Sequence, residues 1–249
     1  MTDTFFIFLG IALAKFVVLF GLPYLVIWKL YPANFKKFKI QTVERQAPQV
    51  LLEIKYSLST VIIQAFSFTL IYWLFKKDLL QLYLGFGSRG YLTEIAAVLI
   101  YLMVYDSYFY WTHRLLHLKW FYQKVHVVHH LSLNPTPFAS YSFHPIEAIM
   151  SVFYFFPLLY FLPMSFETLL FLLLLTDVGN LAGHVGYDFI PKLMWKSRWG
   201  SWITTPTHHN MHHQYSKSNF GLYWRGWDEF FNTIHVRTES EFFRVKDQK

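Results

Sequence analysis

The chain has 249 residues, of which 54% are hydrophobic, 21% are aromatic and 15% are charged. Soluble domains carry about 25% charged residues, so this composition excludes an ordinary soluble domain and predicts a single-domain integral membrane protein over residues 1–249. Cysteine is absent, which excludes disulfides and thiolate-held haem or iron–sulfur clusters. The net charge of +7 does not indicate a nucleic-acid partner, because most basic residues flank apolar segments and fix membrane topology there.

The first apolar segment, residues 5–28, exceeds the roughly 20 residues that a membrane-spanning helix requires. No basic region precedes it and no small-residue cleavage site follows, so we expect a retained anchor and not a signal peptide. Lys15 interrupts the segment. Its side chain reaches the membrane surface, or faces the helix bundle, or marks a segment that lies shallow in the membrane.

The next loop, residues 29–56, is basic. An excess of basic residues predicts the cytoplasmic side of a membrane, although a patch for anionic lipid or for a donor protein is an alternative. The basic residues are Lys29, Lys36, Lys37, Lys39, Arg45 and Lys55. Residues 57–75 form a second predicted span, and residues 76–91 turn the chain outside.

A third predicted span, residues 92–112, returns the chain to the cytoplasmic side. One stripe of this helix carries four polar residues at helical spacing, namely Asp106, Tyr110, His113 and His117. We expect Asp106 to orient an imidazole through its second ring nitrogen. A helix–helix hydrogen bond within the bundle is the alternative role.

Residues 147–162 and 164–181 are apolar and are broken at Pro157 and Pro163. We expect an out-and-back hairpin near Pro163, because a single long span would place the histidines after it across the membrane. The hairpin brings Asn180 and His184 to the cytoplasmic face, where residues 185–249 form a cap. The predicted fold is an all-α integral membrane protein with about four membrane-spanning or hairpin helices and a cytosolic histidine-rich helical cap.

Eleven of the 12 histidines lie between residues 113 and 213. Most fall in three clusters whose spacings of three and four place the rings on one helix face. A single histidine on an apolar helix is more often a hydrogen-bonded core residue than a ligand, but this many buried rings are costly unless each is satisfied. Imidazole is the commonest protein ligand of metals, and three converging faces predict two metal ions. The clusters are His113/His117, His126/His129/His130 and His209/His212/His213.

With these clusters placed, the chain resembles the sterol desaturase and fatty acid hydroxylase superfamily of membrane-bound diiron enzymes, and within it the C-5 sterol desaturases. The similarity runs from about Asp106 to Thr233, and the predicted core is residues 100–235. It differs from eukaryotic C-5 desaturases at Ile146-Glu147-Ala148, where those usually have Asp-Gly after a hydrophobic residue. The motifs are Tyr110-Trp-Thr-His113-Arg-Leu-Leu-His117, His126-x-x-His129-His130, Pro135-Thr-Pro-Phe-Ala-Ser140, His144-Pro145, His184, His208-His209-x-x-His212-His213, Asn219-Phe-Gly221 and Trp227-Asp228.

The resemblance implies a ligand set and a chemistry. His144 and His208 are implied to act beside the metals or toward the substrate, and Asn180 is a further candidate for the catalytic site with Asp106. The implied cofactors are two non-haem irons and O2, with electrons from NAD(P)H through an external cytochrome b5 or ferredoxin. The implied reaction is hydroxylation or desaturation of a sterol-like or fatty acyl lipid in the ER or bacterial inner membrane. The implied metal ligands are His113, His117, His126, His129, His130, His184, His209, His212 and His213.

Two other functions fit part of the pattern. A membrane zinc hydrolase needs three ligands, an open position and a general base, and no carboxylate stands inside any histidine cluster. A metal transporter would place its ligands within the spans and not at one surface. Dependence on O2 and a reductant distinguishes an oxygenase from a hydrolase.

Overall fold

A computed structural model of the chain describes residues 2–41, 47–197 and 200–248. Arg45 of the predicted basic loop therefore lies outside the described residues. The described chain is almost entirely helical. Its helices are α1 (Thr2–Leu30, wound as π-helix at Val17–Gly21 and Tyr24–Leu30), α2 (Pro32–Phe35), α3 (Ala47–Lys76), α4 (Tyr91–Leu116), α5 (Lys119–Phe121), α6 (Val127–His130), α7 (Pro145–Phe153), α8 (Phe155–Phe161), α9 (Phe166–His184), α10 (Lys192–Lys196), α11 (Pro206–Tyr215), α12 (Gly226–Phe230) and α13 (Thr238–Lys246).

Four helices in the described part of the chain, α1, α3, α4 and α9, are long and apolar enough to cross a membrane. This confirms the predicted fold class. Their outer faces are apolar and exposed, as at Phe6 and Leu92, because lipid and not water is the expected neighbour. The core between the helices is rich in aromatic residues, including Tyr101, Tyr105 and Tyr154.

Helix α3 begins about ten residues before the predicted second span, at Ala47. Its first turns are polar and pack against the loop that follows the second histidine cluster. Gln49 donates to the Asn134 carbonyl at 2.9 Å, and Ser57 donates to the Phe138 carbonyl at 2.7 Å. The helix therefore extends beyond the apolar span and supports the histidine side of the molecule.

The predicted hairpin near Pro163 is confirmed. Helices α7 and α8 run away from the histidine clusters, and α9 returns to end at His184. At the turn, β2 (Met164–Ser165) pairs in parallel with β1 (Leu82–Tyr83), which lies between α3 and α4. The α3–α4 connection and the hairpin turn are thus joined at one end of the bundle, and all three histidine clusters lie at the other end.

Lys15 faces the bundle, which decides between the three arrangements that the sequence left open. Its ammonium lies 2.8 Å from the Asp177 carboxylate on α9 and 3.0 Å from the Tyr141 hydroxyl. A charge in the apolar region of a membrane is expensive unless it is paired, and Asp177 supplies the opposite charge.

Candidate metal centre

The third histidine cluster lies on a short helix that its own sequence delimits. Thr205 caps the start of α11 by accepting from the His208 amide, and Pro206 occupies the first helical position. Ser216 ends the helix in the left-handed region, with φ of 53°. The helix is polar, yet its residues from Pro206 to His213 are buried. Its rings face other histidines and not water.

The first two clusters approach from the opposite side. His113 lies in the last turn of α4, and His117 immediately follows that helix. His126 ends a π-helical turn over Tyr122–His126 that leads into α6, which carries His129 and His130. Single π-turns are rare and occur often at functional sites, because the wider turn shifts the angular positions of the side chains after it.

The nine histidines that the sequence predicts as ligands form two groups, and within each group the ligand atoms lie within 4.8 Å of one another. In the first group, Nε2 of His212 lies 3.1 Å from Nε2 of both His117 and His130. In the second, Nε2 of His184 lies 3.2 Å from that of His129 and 3.0 Å from that of His209. The first group is His113, His117, His126, His130 and His212, and the second is His129, His184, His209 and His213.

Helix geometry explains how each cluster is divided between the groups. Residues four apart are nearly aligned along a helix, whereas residues three apart differ by about 60° in the other direction. The pairs His113/His117 and His126/His130 accordingly join the first group, and His209/His213 joins the second. His129 and His212 face the opposite group from their neighbours. The groups adjoin, since the ring centroids of His130 and His213 are 5.1 Å apart.

Backbone carbonyls fix the protonation of three of these rings. A carbonyl can only accept, so Nδ1 must donate, which leaves a lone pair on Nε2. This holds for His113 toward Phe220 at 3.0 Å, His184 toward Asn180 at 2.7 Å, and His212 toward Ser218 at 2.7 Å. Two of these lone pairs, on His184 and His212, each face the Nε2 atoms of two further rings.

The spacing of the ligand atoms fits a shared cation. Two nitrogens bound to one ion at about 2.1 Å lie about 3.0 Å apart in an octahedron and about 3.4 Å apart in a tetrahedron. The four Nε2–Nε2 distances, 3.0–3.2 Å, fall in this interval. Within the described chain, Nε2 of His126 and both ring nitrogens of His213 are buried without a hydrogen-bond partner. Each group could therefore hold a metal ion.

Burial also keeps these rings neutral, as metal ligation requires. It lowers the pKa of His130 to about 3, with the His113 ring adding to the effect. Burial lowers the pKa of His117 as well, with contributions from His113 and His130. The same cause, strengthened by neighbouring imidazoles, holds the pKa well below its usual value at His126, His129, His209, His212 and His213.

The segment after α11 supplies two of the orienting carbonyls, and Asp228 holds that segment in place. The Asp228 carboxylate accepts from the Phe220 and Gly221 amides, both at 2.8 Å. A side chain at Gly221 would meet the Trp224 carbonyl at 2.6 Å, so this close approach requires glycine. The two short motifs around Asn219 and Asp228 therefore position His113 and His212.

Glu147 is the functional contact that the sequence interpretation missed. Its Oε1 lies 2.8 Å from Nδ1 of His126, and both side chains are buried. Such a carboxylate fixes the ring orientation of a metal-binding histidine. The available signal was an acidic residue in the first turn of the apolar α7, two residues after His144-Pro145.

Asp106 does not have the predicted role. Its Oδ1 accepts from the Tyr223 amide at 2.9 Å and the Trp224 amide at 3.3 Å, and it forms no hydrogen bond or ion pair with a histidine of the described chain. The stripe on α4 does place it in line with His113. However, the backbone of residues 223–224 packs over that position, and its amides donate hydrogen bonds to the carboxylate.

The other predicted catalytic residues lie around the two groups and not within them. The Asn180 carbonyl accepts from His184, as described above. His144 caps α7, where its Nδ1 accepts from the Ile146 amide at 3.2 Å. His208 is buried, with Nε2 3.3 Å from the Asp228 carboxylate. His208 therefore contacts the residue that holds the orienting segment.

A cavity adjoins both histidine groups. His113 and His126 of the first group line it, as do His129, His184 and His209 of the second. Its remaining wall comes mainly from apolar side chains of the membrane-spanning helices, including Phe109, Leu116 and Phe155. An apolar ligand in this cavity would contact both groups.

Comparison with known proteins agrees with the motifs. The sequence profile of the fatty acid hydroxylase family matches residues 98–233. The chain is 29% identical to lathosterol oxidase of Homo sapiens over 147 residues, which are 58% of this chain and 47% of that protein. It is 30% identical to a Delta(7)-sterol 5(6)-desaturase of Gibberella zeae over 152 residues, which are 61% of this chain and 46% of that protein.

A more distant similarity is to a very-long-chain aldehyde decarbonylase of Oryza sativa subsp. japonica, at 26% identity over 60% of this chain and 25% of that protein. The chain spans about half the length of the first curated relatives it matches. No solved structure matches it. Residues 98–233, which match the family profile, make up more than half of the chain. They include all nine clustered histidines. The chain therefore belongs to the sterol desaturase and fatty acid hydroxylase superfamily.

Proposed function

We propose that this chain is a membrane-bound oxidoreductase that uses O2 and external electrons to hydroxylate or desaturate a lipid C–H bond. The observation that carries the proposal is the pairing of two imidazole groups with one apolar cavity among membrane-spanning helices. The lipid oxidation named in its relatives, lathosterol oxidase and the Delta(7)-sterol desaturase, supports the reaction class. The nine clustered histidines would hold two irons.

When bound, two irons would supply activation of O2 and removal of hydrogen from an unactivated C–H bond. The chain would orient the ligands, place the lipid and exclude water. The Phe220, Ser218 and Asn180 carbonyls accept from Nδ1 of three imidazoles, which leaves the Nε2 lone pair of each directed inward. Glu147 would orient the His126 ring by accepting from its Nδ1. The choice between alcohol and alkene would depend on how the substrate is aligned in the cavity.

Electrons would come from a donor outside residues 1–249, which carry no nicotinamide- or flavin-binding fingerprint. The resemblance points to NAD(P)H through cytochrome b5 or a ferredoxin. The excess of basic residues between α1 and α3 supports, by the positive-inside rule, a histidine face on the cytoplasmic side of the ER or bacterial inner membrane.

One observation favours the zinc hydrolase alternative. Glu147 lines the cavity, and its Oε2 is buried without a hydrogen-bond partner in the described chain, so a carboxylate does lie beside the histidines. A catalytic zinc, however, uses three protein ligands and an open position. Five and four imidazoles converge here, which fits two metals better. The metal-transporter alternative expects ligands in the middle of the spans, whereas His113 and His184 lie in terminal turns.

The test is oxidation of a lipid extract by purified protein. Protein reconstituted with iron would be incubated with membrane lipids of its own host, O2, NADPH and a reductase–ferredoxin pair. We expect one lipid to lose two hydrogens or gain one oxygen, and no change without O2 or without reductant. Lipid hydrolysis that proceeds without O2 would instead establish the hydrolase.

A further inference from the structure

A second polar cluster lies in the membrane-spanning bundle, away from the histidine groups. Lys15 on α1 pairs with Asp177 on α9 at 2.8 Å and donates to the Tyr141 hydroxyl at 3.0 Å. Tyr141 in turn donates to Asp177. Lys15, Tyr141 and Asp177 all line the cavity that adjoins the histidines. Lys15 lies outside the region that matches the family profile.

Gln64 on α3 leaves this cluster incomplete. It also lines the cavity, and its side chain is only 8% exposed. Its Oε1 accepts no hydrogen bond from the part of the chain that the structure describes. A buried amide oxygen without a donor is destabilising, so a donor from a bound molecule would stabilise it.

The charges of the cluster limit the chemistry of that molecule. Lys15 and Asp177 neutralise each other, so a carboxylate ligand would bring a negative charge for which the cluster has no free cation. The Lys15 ammonium has three N–H groups, two of which face Asp177 and Tyr141. A neutral hydroxyl could accept the third and donate to Gln64 Oε1.

We propose that Gln64 and Lys15 form a binding site for the hydroxyl group of a neutral lipid whose apolar body extends toward the histidines. This inference rests on the proposed function to the extent that the cavity is the substrate cavity. Asp177, Asn180 and His184 follow one another on one face of α9, and seven residues of helix span about 10 Å. The hydroxyl therefore anchors the lipid at a distance from the carbon that reacts.

A second cavity gives the lipid a route to this site. It has a volume of about 380 Å³ and lies between α1, α3 and α9. Lys15, Phe68, Leu173 and Asp177 line both cavities. The wall of the second cavity is otherwise apolar, as at Phe8 and Ile71. The ion pair thus lies where a lipid would pass from among the membrane helices toward the histidines.

The experiment measures equilibrium binding of three tritiated C18 lipids to the full chain in detergent, without O2 or reductant. The probes are 1-octadecanol, its methyl ether, which accepts but cannot donate, and stearate. We expect the alcohol to bind at least tenfold more tightly than either. Gln64→Met, which preserves volume, should reduce alcohol binding about tenfold and leave ether binding unchanged. Ser67→Ala is the matched control on α3, because its hydroxyl donates to the Ile63 carbonyl of its own helix.

Equal binding of alcohol and ether, tighter binding of stearate, or an alcohol preference that survives Gln64→Met would each overturn the inference. The double variant Lys15→Met/Asp177→Leu leaves no unpaired charge and should weaken binding of the alcohol and the ether alike, because the Lys15 ammonium donates to the oxygen of either. It provides a second test if Gln64→Met does not fold, and unchanged binding of both lipids would contradict the inference. Binding is read without catalysis. An intact alcohol preference in a protein that oxidises no lipid would therefore contradict the proposed function and leave this inference standing.

Discussion

The two ends of the helix bundle bury polar groups in opposite ways. At the end opposite the histidines, Glu94 accepts from the Tyr83 hydroxyl, the Gly87 and Ser165 amides, and the hydroxyls of Ser165 and Thr168. Every one of these donors belongs to the chain. At the histidine end, imidazole lone pairs face one another, and several buried ring nitrogens have no partner in the described chain.

This difference separates a structural site from a ligand site. Buried polar groups are normally hydrogen-bonded, so a set that the chain satisfies itself needs nothing else. Buried acceptor atoms that face one another without a donor require a cation or another ligand between them. Glu94 therefore stabilises the fold by joining β1, β2 and the start of α4. The two histidine groups could instead complete their contacts by holding metal ions.

The largest expected effect follows from His212→Ala. Its Nε2 contacts the Nε2 atoms of His117 and His130, and its loss removes the central ring of the first group. We expect O2-dependent lipid oxidation to fall at least about 1000-fold, measured with the lipid extract described above. His235→Ala is the control, because His235 belongs to neither group, and it should retain full activity. Substantial activity in His212→Ala would contradict the assignment.

A pH scan of metal-free protein should show the second largest effect. Burial lowers the pKa of seven histidines outside the spans, so below pH 6.5 the unfolded chain binds more protons than the folded chain. Stability is therefore fully present above about pH 7 and falls as the pH decreases, by up to about 1.4 kcal/mol per pH unit for each histidine.

The measurement is the melting temperature in detergent between pH 7.5 and 5. The triple variant His209→Leu/His212→Leu/His213→Leu removes three of the titrating rings and should show a shallower fall. A melting temperature that is constant or rises on acidification would contradict the neutral, buried state of these imidazoles.

At the end of the bundle opposite the histidines, Glu94→Leu should destabilise the protein without affecting the histidine groups. Replacement leaves the hydroxyls of Tyr83 and Thr168 and the Ser165 amide without their acceptor, at a total cost of about 3 kcal/mol or more in unfolding free energy. Thermal unfolding checks this value. Iron content per folded chain should equal that of the wild type, and a selective loss of iron would show that the two ends are not independent.

The smallest expected effect is that of Glu147→Gln, which keeps an acceptor oxygen near His126 and removes the charge. We expect activity or iron affinity to fall about tenfold, and Glu147→Leu to cost more because His126 then has no acceptor. As a control for stability, the melting temperature of the iron-loaded Glu147→Gln protein is compared with that of Glu94→Leu. A variant that loses stability but keeps iron affinity would assign Glu147 to the fold alone.

Much of the site could be predicted because ligand spacing is a local property. Separations of three and four residues fix which rings share a helix face, and all nine predicted ligands lie in the two groups. Their assignment to individual metals stays a prediction. The division of His129 from His130 could not be read from the sequence, since it depends on how α6 is rotated relative to α4 and α11.

The contacts around the ligands were harder to predict for the same reason. Asp106 lies on the expected stripe of α4, but the amides of Tyr223 and Trp224 reach it from a segment more than 100 residues later. Glu147 reaches His126 only because the hairpin packs α7 beside the π-turn. The early start of α3 likewise depends on its polar first turns meeting the 134–138 loop. Long-range packing decides each of these contacts, and helical periodicity does not encode it.

The central claim, a centre of two irons held by the two histidine groups, has one direct test. The protein would be produced with a Mössbauer-active iron isotope, purified in detergent, and measured for its Mössbauer spectrum and total metal per chain. We predict a magnetically coupled iron pair at about two irons per chain, one for each group, and its loss in His129→Ala and in His212→Ala. A single tightly held zinc in protein from iron-replete cells, with no lipid oxidation after iron reconstitution, would contradict the account.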